Sequence, residues 1–412
     1  MSAAPVVVVG AGAAGLMAAY FAAAAGAPTL VLEGTKGGGK KIVVSGGGRC
    51  NVLPSEVRWE RFVTASSPHT LRNLLRSWPL EEQRRYFEET LGLPLALEEE
   101  TGKLFPASNR SVDVRDALLN AARGAGARFR FNTRVHDVRP AGDGWTVHLD
   151  GGETLAASAV VLATGGLSVP NTGSDGVGLR IAEGLGHTVH RLYPALTPMT
   201  ADPAPHAGLS GVSLHVQIDA PGKRGGVLTE GGFLFTHRGW SGPTVLDVSH
   251  LATLSRLDGG PPQPVLVRWT ALDAAAWHGL LQSGSPGTVA TLLRRHLPAR
   301  LAEQLQGEAD VPMEKTLAQL RRDERARLVE RLTRYPLPWT GDEGYRKAEV
   351  TGGGVALGEV STKTLESRRH PGLFLSGELL DAFGPIGGYN FLWAWATGRL
   401  AGLGAARHVS LI

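Results

Sequence analysis

The sequence predicts an α/β protein whose principal domain is assembled from both ends of the chain around a parallel sheet. Three observations carry that prediction. An unbroken β-branched run, Val6-Val7-Val8-Val9, enters a glycine cluster and then an Ala-rich helix former. Apolar strands of the same buried type recur at Ala159–Leu162 and near the far end at Leu373–Ser376. Between them lie two stretches of other character, one of short β segments punctuated by Gly and Pro, the other helical. The expected boundaries are residues 1–189 with 346–412 for the discontinuous domain, 190–270 for a β-barrel-like insert and 271–345 for a small helical insert.

The first element pair is the most informative. Val6–Val9 runs into Gly10-Ala11-Gly12-Ala13-Ala14-Gly15, a helix follows to Gly26, and Thr29–Leu32 makes a second strand closed by Glu33. Gly10 permits the tight turn, Gly12 lets a pyrophosphate approach the backbone at Ala13 and Ala14, and Gly15 lets the helix pack closely on the strand. Glu33 can accept hydrogen bonds from both ribose hydroxyls and repels a 2′-phosphate. This is a Rossmann-like dinucleotide unit, and at this point FAD and NAD both remain open.

No residue from Met1 to Leu32 carries a charge. A secretory signal would need a basic start, and Gly10, Gly12, Gly15, Gly26 and Pro28 break any continuous apolar helix, so the stretch reads as a buried βαβ floor rather than a leader or membrane span. Lys and Arg total 42 against 38 acids, for a net charge of +4, and 34 of the 42 are Arg. So small an excess suits solubility as readily as nucleic-acid contact. Cys50 is the only cysteine; it excludes an internal disulfide, a CxxC dithiol mechanism and a Cys-rich metal site, and a reducing cytoplasm is the expected compartment. The 55 glycines in 412 residues, nearly twice the usual share of about 7%, fall in short patches without a Gly-X-Y period, so they mark specific turns.

A second glycine loop follows the second strand: Gly37-Gly38-Gly39-Lys40-Lys41, then Ser45-Gly46-Gly47-Gly48-Arg49-Cys50-Asn51. Successive glycines expose backbone N–H groups as an anion nest, to which Arg49 adds a guanidinium. Ala159–Leu162 stops at Ala163-Thr164-Gly165-Gly166, small residues where backbone passes close to a ligand. Leu373–Ser376 ends in Gly377-Glu378. Gly387-Gly388 then opens a helix from Tyr389 to Ala406, whose N-terminus would stabilise negative charge at the N1/C2 edge of a reduced flavin. A nicotinamide has no such edge, which selects FAD.

These motifs, in this order, resemble the HI0933-like flavoproteins of the class with a glutathione-reductase-like FAD domain. The resemblance extends through Gly173-Ser174-Asp175-Gly176, Phe235–Pro243, Ala348–Val355, Gly377–Asp381 and Gly387-Gly388-Tyr389-Asn390-Phe391. It implies FAD contacts at Lys40, Lys41, Gly46, Gly47, Gly48, Arg49, Cys50 and Asn51. It also implies them at Gly377, Glu378, Asp381, Tyr389, Asn390 and Phe391, and at Val135 through its backbone beside the adenine. It implies NAD(P)H as a transient electron donor, since only one complete dinucleotide fingerprint is present.

Strands are expected at Val135–Val138, Trp145–Leu149 and Thr154–Ala156, and helices at Arg115–Arg123, Thr288–Arg295, Ala299–Gln306, Met313–Leu320 and Asp323–Arg334. Cys50 is a candidate proton donor or nucleophile, its thiolate favoured beside Arg49, or else a small filler beside the ring. His237 is a candidate general acid or substrate ligand, or else a turn-stabilising histidine. The expected activity is reduction or desaturation of a C–C or C=N bond. The family resemblance also extends to members that reduce uridine in ribosomal RNA, so a small molecule and an RNA are both open as substrate. A flavin-binding module without turnover is the third reading.

Overall fold

The computed structural model describes residues 4–222, 226–282 and 286–411. The chain divides into two compact units, residues 1–194 with 349–412, and residues 195–348.

In the first unit, β1 (Val6–Val9) is buried along its whole length, as a β-branched run covered on both faces must be. It feeds α1 (Ala13–Ala24), which ends at Gly26 in the left-handed region. Next come β2 (Thr29–Leu32), the short α2 (Lys40–Val44), α3 (Ser111–Gly124) and β3 (Arg128–Arg130). A three-stranded antiparallel layer follows, β4 (Val135–Ala141), β5 (Gly144–Leu149) and β6 (Thr154–Ala157), then β7 (Ala159–Leu162) and β8 (Val189–Ala195).

The second unit holds β9 (Ser213–Ala220), β10 (Val227–Phe235), β11 (Gly239–Ser241), α4 (Pro243–Leu257) and α5 (Arg322–Thr333). Its seven-stranded sheet starts at Tyr335–Pro336 and ends at Gly341–Asp342. Only residues 337–340 join those two edge strands, at most roughly 17 Å of chain, so the sheet curls until its edges approach. The β-rich and helical segments, expected as two inserts, share one apolar core in which Phe233, Phe235, Trp240 and Trp269 pack with Trp277, Leu301 and Leu328. Two further expectations are corrected here. Pro243–Leu257 is a helix inside the stretch expected to be β-rich, entered through Gly242 and a proline in its first turn. Met313–Leu320 is not a helix, because its backbone pairs elsewhere: Val289 N–H donates to the Lys315 carbonyl and Leu317 N–H to Gly287.

The chain returns to the first unit through β12 (Val350–Val355), β13 (Leu373–Leu375) and α6 (Tyr389–Leu411). The main sheet has the order β13-β7-β1-β2-β3, all parallel. α6 crosses α1 closely, since a Cβ at Gly398 or Gly402 would stand 2.4 Å from the carbonyl oxygen of Ala14 or Ala18. Covered by sheet and by α6, α1 buries Leu16 and Met17 completely, each worth about 2 kcal/mol. That enclosure accounts for the absence of charge along β1 and the buried positions of α1.

Candidate FAD site

The glycine fingerprint divides into two kinds of position. Gly10 has φ +100°, and a Cβ there would meet the Ala163 carbonyl oxygen at 2.6 Å; at Gly15 a Cβ would meet the Gly10 oxygen at 1.9 Å. Both glycines serve the close packing of the chain on itself. Gly12 differs: among the described residues no atom lies within 4 Å of a Cβ placed there. It caps α1 without any side-chain hydrogen bond, so the first backbone N–H groups of α1 face open space. Glu33 completes the corner. Its Oε2 accepts the Ala11 N–H at 2.8 Å and its Oε1 the Thr35 N–H at 2.8 Å, which leaves a lone pair on each oxygen for ribose hydroxyls. Thr133 N–H donates to the Glu33 carbonyl, which seats the start of β4, with Val135 buried opposite Leu149, beside this corner. Gly165, at φ +72°, closes on Ser174.

The second glycine loop is the short α2 followed by Gly46, Gly47 and Gly48, all exposed and with φ of +56°, +66° and +87°. Arg49 does not join this nest. Its guanidinium turns to Glu98 at 2.9 Å and lies 4.1 Å over the Phe105 ring. Hydrogen bonds from Thr101 and then Arg49 hold the Glu98 carboxyl below the ordinary carboxylate range. Cys50 is fully buried, and burial pushes its thiol up to about 12 against a weaker opposing hydrogen bond with Ser45. Arg49 is paired with Glu98 and desolvation governs the sulfur, so this arrangement sets no cation beside Cys50 to favour a thiolate. Asn51 links the nest to α6: with its amide oriented to satisfy both partners, it donates to the Leu53 carbonyl at 3.2 Å and accepts the Gly388 N–H at 3.1 Å.

Lys41, next to the rim residue Lys40, turns inward. Its Nζ donates to Ser168 Oγ at 2.5 Å and to Glu378 Oε2 at 2.6 Å, while Glu378 Oε1 accepts from Ser168 Oγ at 2.6 Å and from the Thr351 N–H at 2.9 Å. Burial alone would raise the Glu378 carboxyl; the Lys41 ammonium and these hydrogen bonds outweigh it and hold the group below its ordinary value. Glu349 goes the other way. Crowding by protein raises it although part of its surface reaches solvent, Lys41 opposes the rise and Glu378 adds to it. Gly377 is the floor beneath, its N–H donating to Thr397 Oγ1 and its Cβ position 2.8 Å from Ala14 Cβ.

Other residues expected at the cofactor have side-chain partners within the protein. Asp381 Oδ2 accepts from Thr64 Oγ1, the Ala65 and Ser66 N–H groups and Ser66 Oγ, so it anchors the 64–66 loop. Asn390 both accepts from and donates to the Gly384 backbone. Tyr389 is buried 5.8 Å from Phe62 with Arg61 over its ring, and Phe391 stacks on Trp395 at 5.2 Å. Ahead of α6 the backbone turns through Gly387 and Gly388 at φ +122° and +91°, with Gly388 packed against Leu53 and Pro54. His237 lies exposed on the turn between β10 and β11 of the second unit.

The sequence reading missed Ser168 and Thr351, because neither lies in a periodic pattern and both act through one oxygen. It also missed a cavity of about 710 Å³ lined by Lys36, Lys40, Arg115, Asn171 and Thr172 with Val43, Val44 and Val169. Arg115 and Asn171 come from segments far from the Lys36–Lys40 loop and had no linear signal to join them to it.

The open α1 N-terminus at Gly12, the acid at the end of β2 and the exposed nest fit FAD. They define a flavin-dependent oxidoreductase on a Rossmann-type parallel sheet. The chain belongs to the HI0933-like family: the model of the HI0933-like protein Rossmann domain matches residues 4–404. It is 33% identical over 357 residues to a ribosomal RNA dihydrouridine synthase of Escherichia coli, covering 85% of each chain. To a 3-dehydro-bile acid delta(4,6)-reductase of Clostridium scindens it is 31% identical over 365 residues, covering 87% of this chain and 88% of that one. Among solved structures, the open conformation of a flavocytochrome c3 fumarate reductase superposes with a TM-score of 0.51 at 19% identity, over 99% of this chain and 78% of that one; it shares the fold. No helix among the described residues is long and apolar enough to cross a membrane.

Proposed function

We propose that this flavoenzyme reduces a C=C or C=N bond with NAD(P)H as electron donor, or desaturates the corresponding single bond and passes the two electrons to an oxidised acceptor. The observation that carries the reading is the pairing of the uncapped α1 N-terminus at Gly12 with the glycine nest at Gly46–Gly48, one suited to a diphosphate and the other to an electron-rich ring edge. Two relatives from different substrate classes are both named for products or activities of C=C reduction. Bound FAD supplies a two-electron carrier able to take hydride from a reduced nicotinamide and give it to an unsaturated bond, whose proton comes from an acid of the protein or from water. The chain's own residues then have limited tasks. Glu33 and the backbone of Ala13 and Ala14 bind, Gly46–Gly48 and the α6 N-terminus orient, and the Lys41–Glu378 pair holds the floor. Glu349, whose carboxyl is raised by desolvation against the opposing Lys41 ammonium, is an acid of this unit shifted toward holding a proton. Cytoplasmic location accords with the lone buried Cys50.

A second reading, dihydrouridine formation in ribosomal RNA, is favoured by the 33% identity to the Escherichia coli enzyme. In the Arg-rich stretch around α5, Arg327 pairs with Asp323 at 3.0 Å and Arg321 with Glu324 at 3.0 Å, so those two arginines already have carboxylate partners. Mass spectrometry of ribosomal RNA and of metabolites from a deletion strain separates the two. Loss of dihydrouridine selects RNA; intact RNA with an accumulated unsaturated metabolite selects a small molecule. Purified protein without flavin absorbance would end both readings, and a bound flavin inert to every reductant would leave only a binding module.

A further inference from the structure

The strand Lys103–Pro106 is fixed by backbone hydrogen bonds on either side of its first residue: Val52 N–H donates to the Leu104 carbonyl and Ser55 N–H to the Gly102 carbonyl, each at 2.9 Å. Side chains alternate along a strand, so Lys103 and Phe105 share one face of it. That face meets both glycine clusters proposed above to orient the ring. A Cβ at Gly46 of the nest would stand 3.4 Å from Phe105 Cε1, and one at Gly387, just ahead of α6, would stand 3.8 Å from Lys103 Cε and 4.0 Å from its Cγ. The same corner is tied together by Asn51, which bridges Leu53 and Gly388, and by the pairing of Leu53–Pro54 with Lys103–Leu104. The half-buried Lys103 therefore carries its ammonium, one bond beyond Cε, to the place where the nest and the start of α6 converge. Arg49, the other cation of this corner, is turned to Glu98. Glu98, opposite Lys103 in the strand pair, also accepts from Thr101.

We infer that Lys103 supplies the positive charge for the electron-rich edge of the flavin, and so sets how readily the flavin of this protein accepts electrons. The inference rests on the oxidoreductase reading above and deepens it: the nest and the start of α6 orient the ring, and Lys103 governs its potential. Two-electron reduction leaves negative charge on the N1–C2 side of the ring system. A fixed cation there lowers the energy of that charge and does little for the neutral oxidised ring. The lysine stem already lies alongside Gly387, on a strand anchored through its backbone, so the charge is held in place without the flavin.

The test is the reduction potential of the flavin and its affinity for sulfite in the FAD-loaded protein, since the sulfite lone pair bonds to N5 and passes its negative charge to the same edge. Lys103→Met keeps the stem and removes the charge. Its reduction equilibrium should fall on the order of tenfold, about 30 mV for a two-electron couple, and sulfite should bind on the order of tenfold more weakly, with FAD stoichiometry unchanged. Lys103→Arg keeps the charge and should hold both values within about threefold of the parent. If Lys103→Met fails to fold, Lys103→Gln takes its place. A loaded Lys103→Met protein with both values within about twofold of the parent would leave Lys103 a packing residue and overturn the inference, while the oxidoreductase reading stands. Equal losses in Lys103→Met and Lys103→Arg would trace the effect to shape and overturn it as well. Loss of FAD from Lys103→Met and Lys103→Gln, with Lys103→Arg still loaded, would put the ammonium on the diphosphate and overturn it too. Parent protein without flavin would end the oxidoreductase reading and the inference together.

Discussion

Two glycine clusters of the dinucleotide-binding unit have opposite surroundings. At Gly12 the space a side chain would fill is open and faces an uncapped helix N-terminus. At Gly352–Gly354 that space is already filled by the chain itself. A Cβ at Gly352 would stand 2.2 Å from the Tyr193 ring and one at Gly353 2.1 Å from the Arg191 carbonyl oxygen, because β12 lies against β8. The second cluster, which stands outside the one complete dinucleotide fingerprint, is a packing device. A run of glycines reports that something comes close to the backbone; only the fold says whether that is a ligand or another strand.

The contrast can be broken most decisively at Gly353. Its φ of +78° and its Cβ clash with backbone allow no relief by a side-chain rotation. Gly353→Ala should cost on the order of 3 kcal/mol or more and yield mostly insoluble chain; a thermal melt within a degree or two of the parent would refute the packing reading. Next in size is the buried pair under the site. Lys41→Met leaves Glu378 without its cation, for an expected loss of about 3 kcal/mol, recovered in part by adding Glu378→Gln.

The pH dependence of that pair follows from its sign. Glu378 is held below its ordinary value, so the pair's stabilisation is complete above the unfolded pKa of about 4.3 and is lost as pH falls through the lowered folded value. In Lys41→Met, burial is opposed only by the Ser168 and Thr351 hydrogen bonds, and the variant should lose less on acidification than the parent. Melts at pH 4 and pH 7 that shift in parallel would show that Lys41 does not set the ionisation of Glu378.

Gly12→Ala sharpens the other side of the comparison. With no described atom within 4 Å of the new methyl, the apoprotein melt should move by under about 1 kcal/mol, while FAD affinity drops on the order of tenfold or more because the pyrophosphate can no longer approach the backbone. Unchanged FAD affinity, measured by fluorescence of released flavin, would place the diphosphate elsewhere.

How much of this was legible beforehand depends on whether a residue acts through backbone or through a remote partner. Val6–Glu33 reads directly because its strand, turn, helix and acid are consecutive, and each is constrained by local conformation. The first and last strands of the sheet are legible for the same reason. The partners of Arg49, Asp381 and Asn390 were not, since Glu98, the 64–66 loop and Gly384 are chosen by the tertiary fold. Lys41 could be placed near the cofactor by motif, yet its bond to Glu378, 337 positions away, has no signature in a single sequence. Met313–Leu320 failed in the reverse sense: its helical pattern lost to backbone pairing with residues 287–289.

Cys50 carries the smallest expected effect and the clearest lesson about motifs. It sits among residues that expose backbone, beside an arginine, in a place where a reactive thiolate would be useful. Yet it is fully buried and its thiol is pushed up to about 12, so almost none is ionised at neutral pH. Its φ of +61° shows what the position demands: a small side chain on a strained turn, tucked under the nest. Cys50→Ala should therefore fold, bind FAD and be reduced by its donor at a rate within about twofold of the parent, since neither a proton nor a nucleophile is removed. Thiol-directed alkylation of the native holoprotein should likewise be slow. Rapid alkylation, or a loss of turnover beyond about a hundredfold with FAD retained, the range general acid catalysis commands, would return the sulfur to the chemistry and require a state of the loop in which Cys50 is exposed.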